Sequence, residues 1–190
     1  PQSPSQERPS QMHDLQISGI HREALQVAVA AVADAAQLCT AVQRELTPQA
    51  LEKKDRSPVT VADFGSQALI CRALGDRFAA DPIVAEEDSA ALAEPAGQAL
   101  AEGLLGYVRR VRPEADLAQT CAWIDRGGAP GAGARFWTLD PIDGTKGFLR
   151  GDQYAIALAL IIEGAVTVAV LGCPNLPLEP PRADARGVLF

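Results

Sequence analysis

Apolar residues recur at steps of three and four through residues 18–46, at Ile20, Ala24, Val27, Ala31, Ala35, Leu38 and Val42. That period predicts an amphipathic helix. Its many alanines let it lie close against a sheet or another helix. Ser18 stands where an N-cap belongs, and Pro48 falls just past the far end. Residues 52–55 are charged and read as a loop, and Pro58 biases Ser57 toward extended backbone. The helical period returns near Asp63, with Ala68, Leu69, Ala73, Leu74 and Phe78 on one side, and predicts a second helix opening there. Asp81 and Pro82 close it. Residues 99–111 predict a third helix, with Leu100, Leu104, Tyr107, Val108 and Val111 on its apolar side, and residues 117–124 a short fourth.

Between and after these helices the pattern changes to strands. Residues 83–85 and 136–139 are short apolar runs. Residues 153–162 are apolar almost throughout, which predicts a central strand covered on both faces. Glu163-Gly164 is a tight turn, and residues 166–171 pair back antiparallel. Residues 187–190 begin another strand. Residues 89–97 read as a polar, Ala-rich linker. Residues 127–134 read as a flexible connector, because a Gly-rich loop that cradles phosphate as a P-loop does would end in GK[ST]. The elements together are of the α+β class, helices layered on an antiparallel sheet. They form one domain over residues 18–190, preceded by a Pro-, Ser- and Gln-rich disordered leader at 1–17.

Composition narrows the function classes. The chain has 190 residues, 47% hydrophobic and 22% charged, as expected of a globular domain with a real core. Its formal net charge of -7 argues against a sequence-independent grip on nucleic acid polymers. A small nucleotide remains compatible, because bound cations invert a local field. Cys39, Cys71, Cys121 and Cys173 form no CxxC pair and only two histidines are present, which argues against zinc. They read as buried reduced thiols, which fits a reducing compartment. No apolar run approaches the ~20 residues of a membrane span, so no membrane partner is expected.

The candidate chemistry centres on Asp140-Pro141-Ile142-Asp143-Gly144-Thr145-Lys146-Gly147-Phe148. Pro141 stops the preceding strand from continuing as a regular ladder. Asp143 or Gly144 is placed to cap a short helix through Phe148. Two carboxylates at a strand end can share a hard cation such as Mg²⁺, with the Ile142 carbonyl as a third oxygen. The N–H groups of Gly144 and Thr145 would face an anion. A cation site beside an anion site suits phosphate-ester hydrolysis. Taken alone, a D-x-x-D-G stretch is as readily a capped turn.

The longer strings are more specific. WTLDPIDGTKGF resembles the signature of the lithium-sensitive, Mg²⁺-dependent phosphatases of the inositol monophosphatase-like superfamily, and LRGDQYA resembles its 3′(2′),5′-bisphosphate nucleotidase branch. SPVTVAD (57–63) and IVAEED (83–88) resemble that superfamily's other two site motifs, in family order. The resemblance implies two or three Mg²⁺ ions held by Glu86, Asp140, the Ile142 carbonyl and Asp143. It implies that Glu86 orients the attacking water, that Asp63 pairs with Thr145 to activate it, and that the Gly144 and Thr145 amides hold phosphate. Glu87 is the weaker candidate beside Glu86. Lys53 and Lys54 read as solvated charges outside the site.

The implied activity is hydrolysis of 3′-phosphoadenosine 5′-phosphate to AMP and phosphate, with a small phosphorylated nucleotide as substrate. The resemblance covers only the family's N-terminal α+β domain. The WDxxxG motif of a second α/β domain is not found after Trp137, so that domain is expected to be absent from this chain. Two alternatives stay open: a truncated, non-catalytic member acting as a structural or binding subunit, and an inositol phosphate phosphatase. Arg150-Gly151-Asp152-Gln153 argues against the latter. A protein partner is expected at the sheet edge near Phe190, and the compartment is expected to be cytosol or an organellar stroma such as that of a chloroplast or mitochondrion.

Overall fold

The computed structural model describes residues 19–45, 57–131, 133–177 and 186–189. Ser18, Pro48, Lys53, Lys54, Phe190 and the leader lie outside them.

Helix α1, Gly19–Arg44, turns Ala24, Ala28, Ala31, Val32, Ala35, Leu38 and Val42 inward. By length and composition it is apolar enough to cross a membrane, but here that stripe packs on helix α2, Ser57–Arg77, and on the sheet. Helix α2 begins at Ser57 and not near Asp63 as the pattern predicts. Pro58 falls in the first turn, where its missing N–H would have had no helical partner anyway. Asp63 therefore sits well inside the helix.

The linker at 89–97 also folds, into helix α3, Ala90–Ala93, and a 3₁₀ turn, Pro95–Gly97. Helix α4, Gln98–Val111, buries Ala101, Leu104 and Val108. Helix α5, Leu117–Asp125, opens with a capping box. The Asp116 carboxylate accepts from the Gln119 N–H at 2.7 Å, and the Gln119 side chain accepts from the Asp116 N–H at 3.2 Å.

Five strands form one sheet in sequence order: β1, Ile83–Val84; β2, Arg135–Asp143; β3, Ala155–Ile162; β4, Ala165–Pro177; and β5, Arg186–Leu189. β1 runs parallel to β2, and the other pairs are antiparallel. β3 is central, but only one of its faces is fully buried. Ile156, Leu158 and Leu160 are buried, while Ala155, Ala157 and Ala159 point to the other side and are half-buried. The all-apolar run thus hides an alternation of large and small residues, with the large ones facing the helices. Across the sheet Trp137 and Leu139 on β2, and Val168 and Val170 on β4, continue the same buried face. The β3–β4 turn takes positive φ at Glu163 (50°) and Gly164 (76°), the two-residue hairpin geometry that matches strand twist.

Candidate active site

The parallel pairing of β1 and β2 brings the acidic segments to one end of the sheet. Val84 pairs with Thr138. Two residues further along each chain stand Glu86 and Asp140. The connector is fixed to β1 on its other side, with the Ala85 N–H donating to the Gly127 carbonyl at 2.8 Å and the Ala129 N–H to that of Ile83 at 3.1 Å.

β2 continues through Pro141, but its register against β3 shifts between Asp140 and Asp143. This is the irregularity that a proline without an N–H imposes. Pro141 and Ile142 are buried, Asp140 is half-buried and Asp143 is exposed. Gly144 then caps helix α6, Thr145–Leu149, with a left-handed φ of 93° and no side-chain cap, so Asp143 does not cap it. The Gly147 and Phe148 N–H groups donate to the Gly144 carbonyl at 2.8 and 3.0 Å.

Asp63 comes from the second turn of α2, half-buried beneath these loops. Its carboxyl is pushed up to about 8 by burial first, then by Glu87, Asp140 and Glu86. Burial, Glu86 and Asp143 raise Asp140. Burial, Glu86 and Asp88 raise Glu87. Asp63, Glu86, Glu87, Asp140 and Asp143 therefore share one acidic field. Among the described residues none of the five pairs with a Lys, Arg or His. No three Asp, Glu, His or Cys side chains among the described residues are drawn together closely enough to hold a metal ion. The donor chemistry, carboxylates and a nearby carbonyl with no basic partner among the described residues, is of the kind that hard cations take. Asp63 and Thr145 are not hydrogen-bonded to each other here, and Thr145 is exposed.

Sequence reasoning missed the groups that hold these segments. Ser66 and Gln67 are fully buried polar residues on α2. The Ser66 hydroxyl donates to the Pro141 carbonyl at 3.1 Å. The Gln67 side chain donates to the Glu87 and Ile124 carbonyls at 2.6 and 2.8 Å and accepts from the Glu87 N–H at 3.0 Å. The signal was available: two polar residues fall on a face that otherwise buries Ala62, Leu69, Ile70 and Leu74. A second missed group, Gln43 and Asn175, ties down the segment after α6. Gln43 donates to the Phe148 and Asp152 carbonyls at 2.9 and 3.2 Å. Asn175 donates to the Gln43 side chain at 2.7 Å and to the Asp152 carbonyl at 2.8 Å. All four cysteines are free thiols, Cys39 and Cys71 buried, Cys121 and Cys173 half-buried.

The chain is 42% identical over 181 residues to a 3′(2′),5′-bisphosphate nucleotidase of Schizosaccharomyces pombe, a match over 87% of this chain and 51% of that protein. It is 44% identical over 170 residues to 3′(2′),5′-bisphosphate nucleotidase 1 of Arabidopsis thaliana, over 83% of this chain and 48% of the relative. The chain thus spans about half the length of the curated relatives it matches. The crystal structure of CysQ from Bacteroides thetaiotaomicron, a bacterial member of the inositol monophosphatase family, overlaps 78% of this chain and 41% of its own, at 20% identity and a TM-score of 0.49. The sequence profile of the inositol monophosphatase family matches residues 20–184, which include every segment of the acidic site, and the chain belongs to that family.

Proposed function

We propose that this chain supplies the acidic site of a Mg²⁺-dependent phosphomonoesterase of the 3′(2′),5′-bisphosphate nucleotidase type. The observation that carries the proposal is the convergence of Asp63, Glu86, Asp140 and Asp143 from three separate segments into one field with no basic partner among the described residues. The relatives' names support the substrate class, a nucleoside bisphosphate such as 3′-phosphoadenosine 5′-phosphate.

In this reading Glu86, Asp140, the Ile142 carbonyl and Asp143 hold two or three Mg²⁺ ions. When bound, such ions lower the pKa of water and offset charge on the phosphoryl group. Glu86 orients the attacking water. Asp63, half-buried beside both acidic segments, accepts its proton. Thr145, at the start of α6, steadies the water with Asp63, and the Gly144 and Thr145 amides receive phosphate oxygens. No Ser or Cys nucleophile takes part. The four free thiols suit a reducing compartment, cytosolic or stromal.

The test is phosphate release from 3′-phosphoadenosine 5′-phosphate with Mg²⁺, by this chain and by Asp143→Asn. Release that needs Asp143 and is inhibited by Li⁺ supports the reading. Release that Asp143→Asn leaves intact refutes it. No release from folded protein would show that this stretch of chain does not carry the activity unaided.

A further inference from the structure

Asp63, Ser66 and Gln67 occupy positions i, i+3 and i+4 of α2 and share one face of the helix. Ser66 and Gln67 are 0% exposed. A buried polar side chain is destabilising unless bonded, so the partners of these two define their purpose. Ser66 donates to the carbonyl of Pro141, which lies between Asp140 and Asp143 at the register shift of β2. Gln67 clasps both backbone groups of Glu87, accepting from its N–H and donating to its C=O, and its amide nitrogen also bonds the Ile124 carbonyl. Two adjacent residues of one helix thus each grip one of the two acidic loops.

Both segments carry carboxylates, Glu86 to Asp88 on one and Asp140 and Asp143 on the other, so they bring like charge together. Neither clasp is replaced by an ion pair to the acidic side chains among the described residues. The β2–β3 ladder and the Ala85–Gly127 bond also hold these segments, but the Ser66 and Gln67 bonds are the ones that tie them to the helix carrying Asp63.

We propose that Ser66 and Gln67 are positioning residues that hold the Asp140–Asp143 loop and the Glu86–Glu87 loop in register with Asp63, and so set the affinity of the cation site. This rests on the cation reading given above. Neither residue touches substrate or cation. Each acts through the backbone of the loop it holds.

The test is Mn²⁺ binding, followed as loss of the free-ion EPR signal on titration with the whole chain. Mn²⁺ takes the same oxygen donors as Mg²⁺. Ser66→Ala and Gln67→Met remove the clasps at nearly constant volume. Val108→Ala, a buried core change on α4, serves as a control for lost stability alone. Ser66→Ala and Gln67→Met are expected to weaken Mn²⁺ binding roughly ten- to hundredfold, as loss of a ligand-orienting partner does. Val108→Ala is expected to bind as the parent does. Parent-like affinity in folded Ser66→Ala and Gln67→Met, with binding abolished in Asp143→Asn, overturns the positioning role and leaves the cation site standing. Parent-like affinity in Asp143→Asn overturns the cation site itself. If Gln67→Met does not fold, Ser66→Ala decides the question alone.

Discussion

Two glycine-to-alanine changes, both inside helices, are expected to move stability in opposite directions. Gly106 lies in α4, exposed, and a Cβ there would meet nothing within 4 Å. Alanine removes backbone freedom from the unfolded chain and is expected to stabilise by about 0.5–1 kcal/mol. Gly147 lies in α6, buried, and its Cβ would stand 2.4 Å from the Gln153 carbonyl oxygen. Real Cβ contacts do not fall below 3.0 Å, so the 150–153 segment must retreat by at least roughly 0.6 Å. That segment is pinned from several sides. The Asp152 N–H donates to the Gly147 carbonyl at 2.8 Å, and Gln43 and Asn175 hold the Asp152 carbonyl at 3.2 and 2.8 Å. Overpacking against a fixed backbone costs about 1–3 kcal/mol. For a chain of this length each kcal/mol moves Tm by about 2–4 °C. Thermal unfolding by circular dichroism should therefore show Gly106→Ala up by about 1–4 °C and Gly147→Ala down by about 2–12 °C. In phosphate release Gly106→Ala should match the parent, and Gly147→Ala should lose on the order of a hundredfold, because the loop beside Thr145 shifts. A Gly147→Ala chain as stable as Gly106→Ala would refute the close-approach argument.

Metal-free stability should fall as pH rises from about 4 to about 8. The folded chain keeps a proton on Asp63 up to about 8, whereas an unfolded aspartate releases it near 3.8, so across that window the native state binds more protons and the slope is negative. Melting in EDTA at several pH values should show that fall, and Asp63→Asn should flatten it; parallel curves for the two would contradict it. A cation bound beside Asp63 disfavours that proton, so Mg²⁺ should raise Tm more at pH 8 than at pH 6; the gain at a hundred times its Kd is about 2.7 kcal/mol, and a chelator should reverse it. Indifference to Mg²⁺ at both pH values would count against the cation site. Asp81 accepts from the Arg135 Nε at 2.8–2.9 Å and from the indole N–H of fully buried Trp137 at 3.1 Å. Asp81→Ala should therefore cost about 1–3 kcal/mol in urea unfolding, and Asp81→Asn, which keeps an acceptor, distinctly less.

Much of this architecture was legible along the chain. The three- and four-residue period located α1, α4 and α5 to within a residue or two, because each buries one stripe of its surface. The β3–β4 hairpin followed from its turn residues, and the break at Pro141 from the missing N–H. The both-faces expectation for β3 failed because a period-two signal written in Leu, Ile and Ala looks uniform when all three count as apolar. The short helices at 89–97 carry no periodic stripe to read. Asp63, Glu86, Asp140 and Asp143 were named from the resemblance of their motifs to a family pattern. Ser66 and Gln67 were not, because their partners, Pro141, Glu87 and Ile124, lie 75, 20 and 57 residues away, and a donor's long-range partner is a property of the fold.

The misplaced start of α2 matters most for the chemistry. Read as the first residue of a helix, Asp63 would have its ionised form favoured by the helix dipole and by free N–H groups. Two turns inside the helix it has lost that support, since the dipole acts only within the terminal turn and the N–H groups there are already used by the helix. Burial and the three neighbouring carboxylates then decide, and they push its proton affinity up. The same sequence position therefore favours the anion in one register and, with no cation bound, the protonated acid in the other. The proline at 58, by allowing the helix to begin six residues earlier, moves Asp63 from a capping position to a half-buried one among like charges.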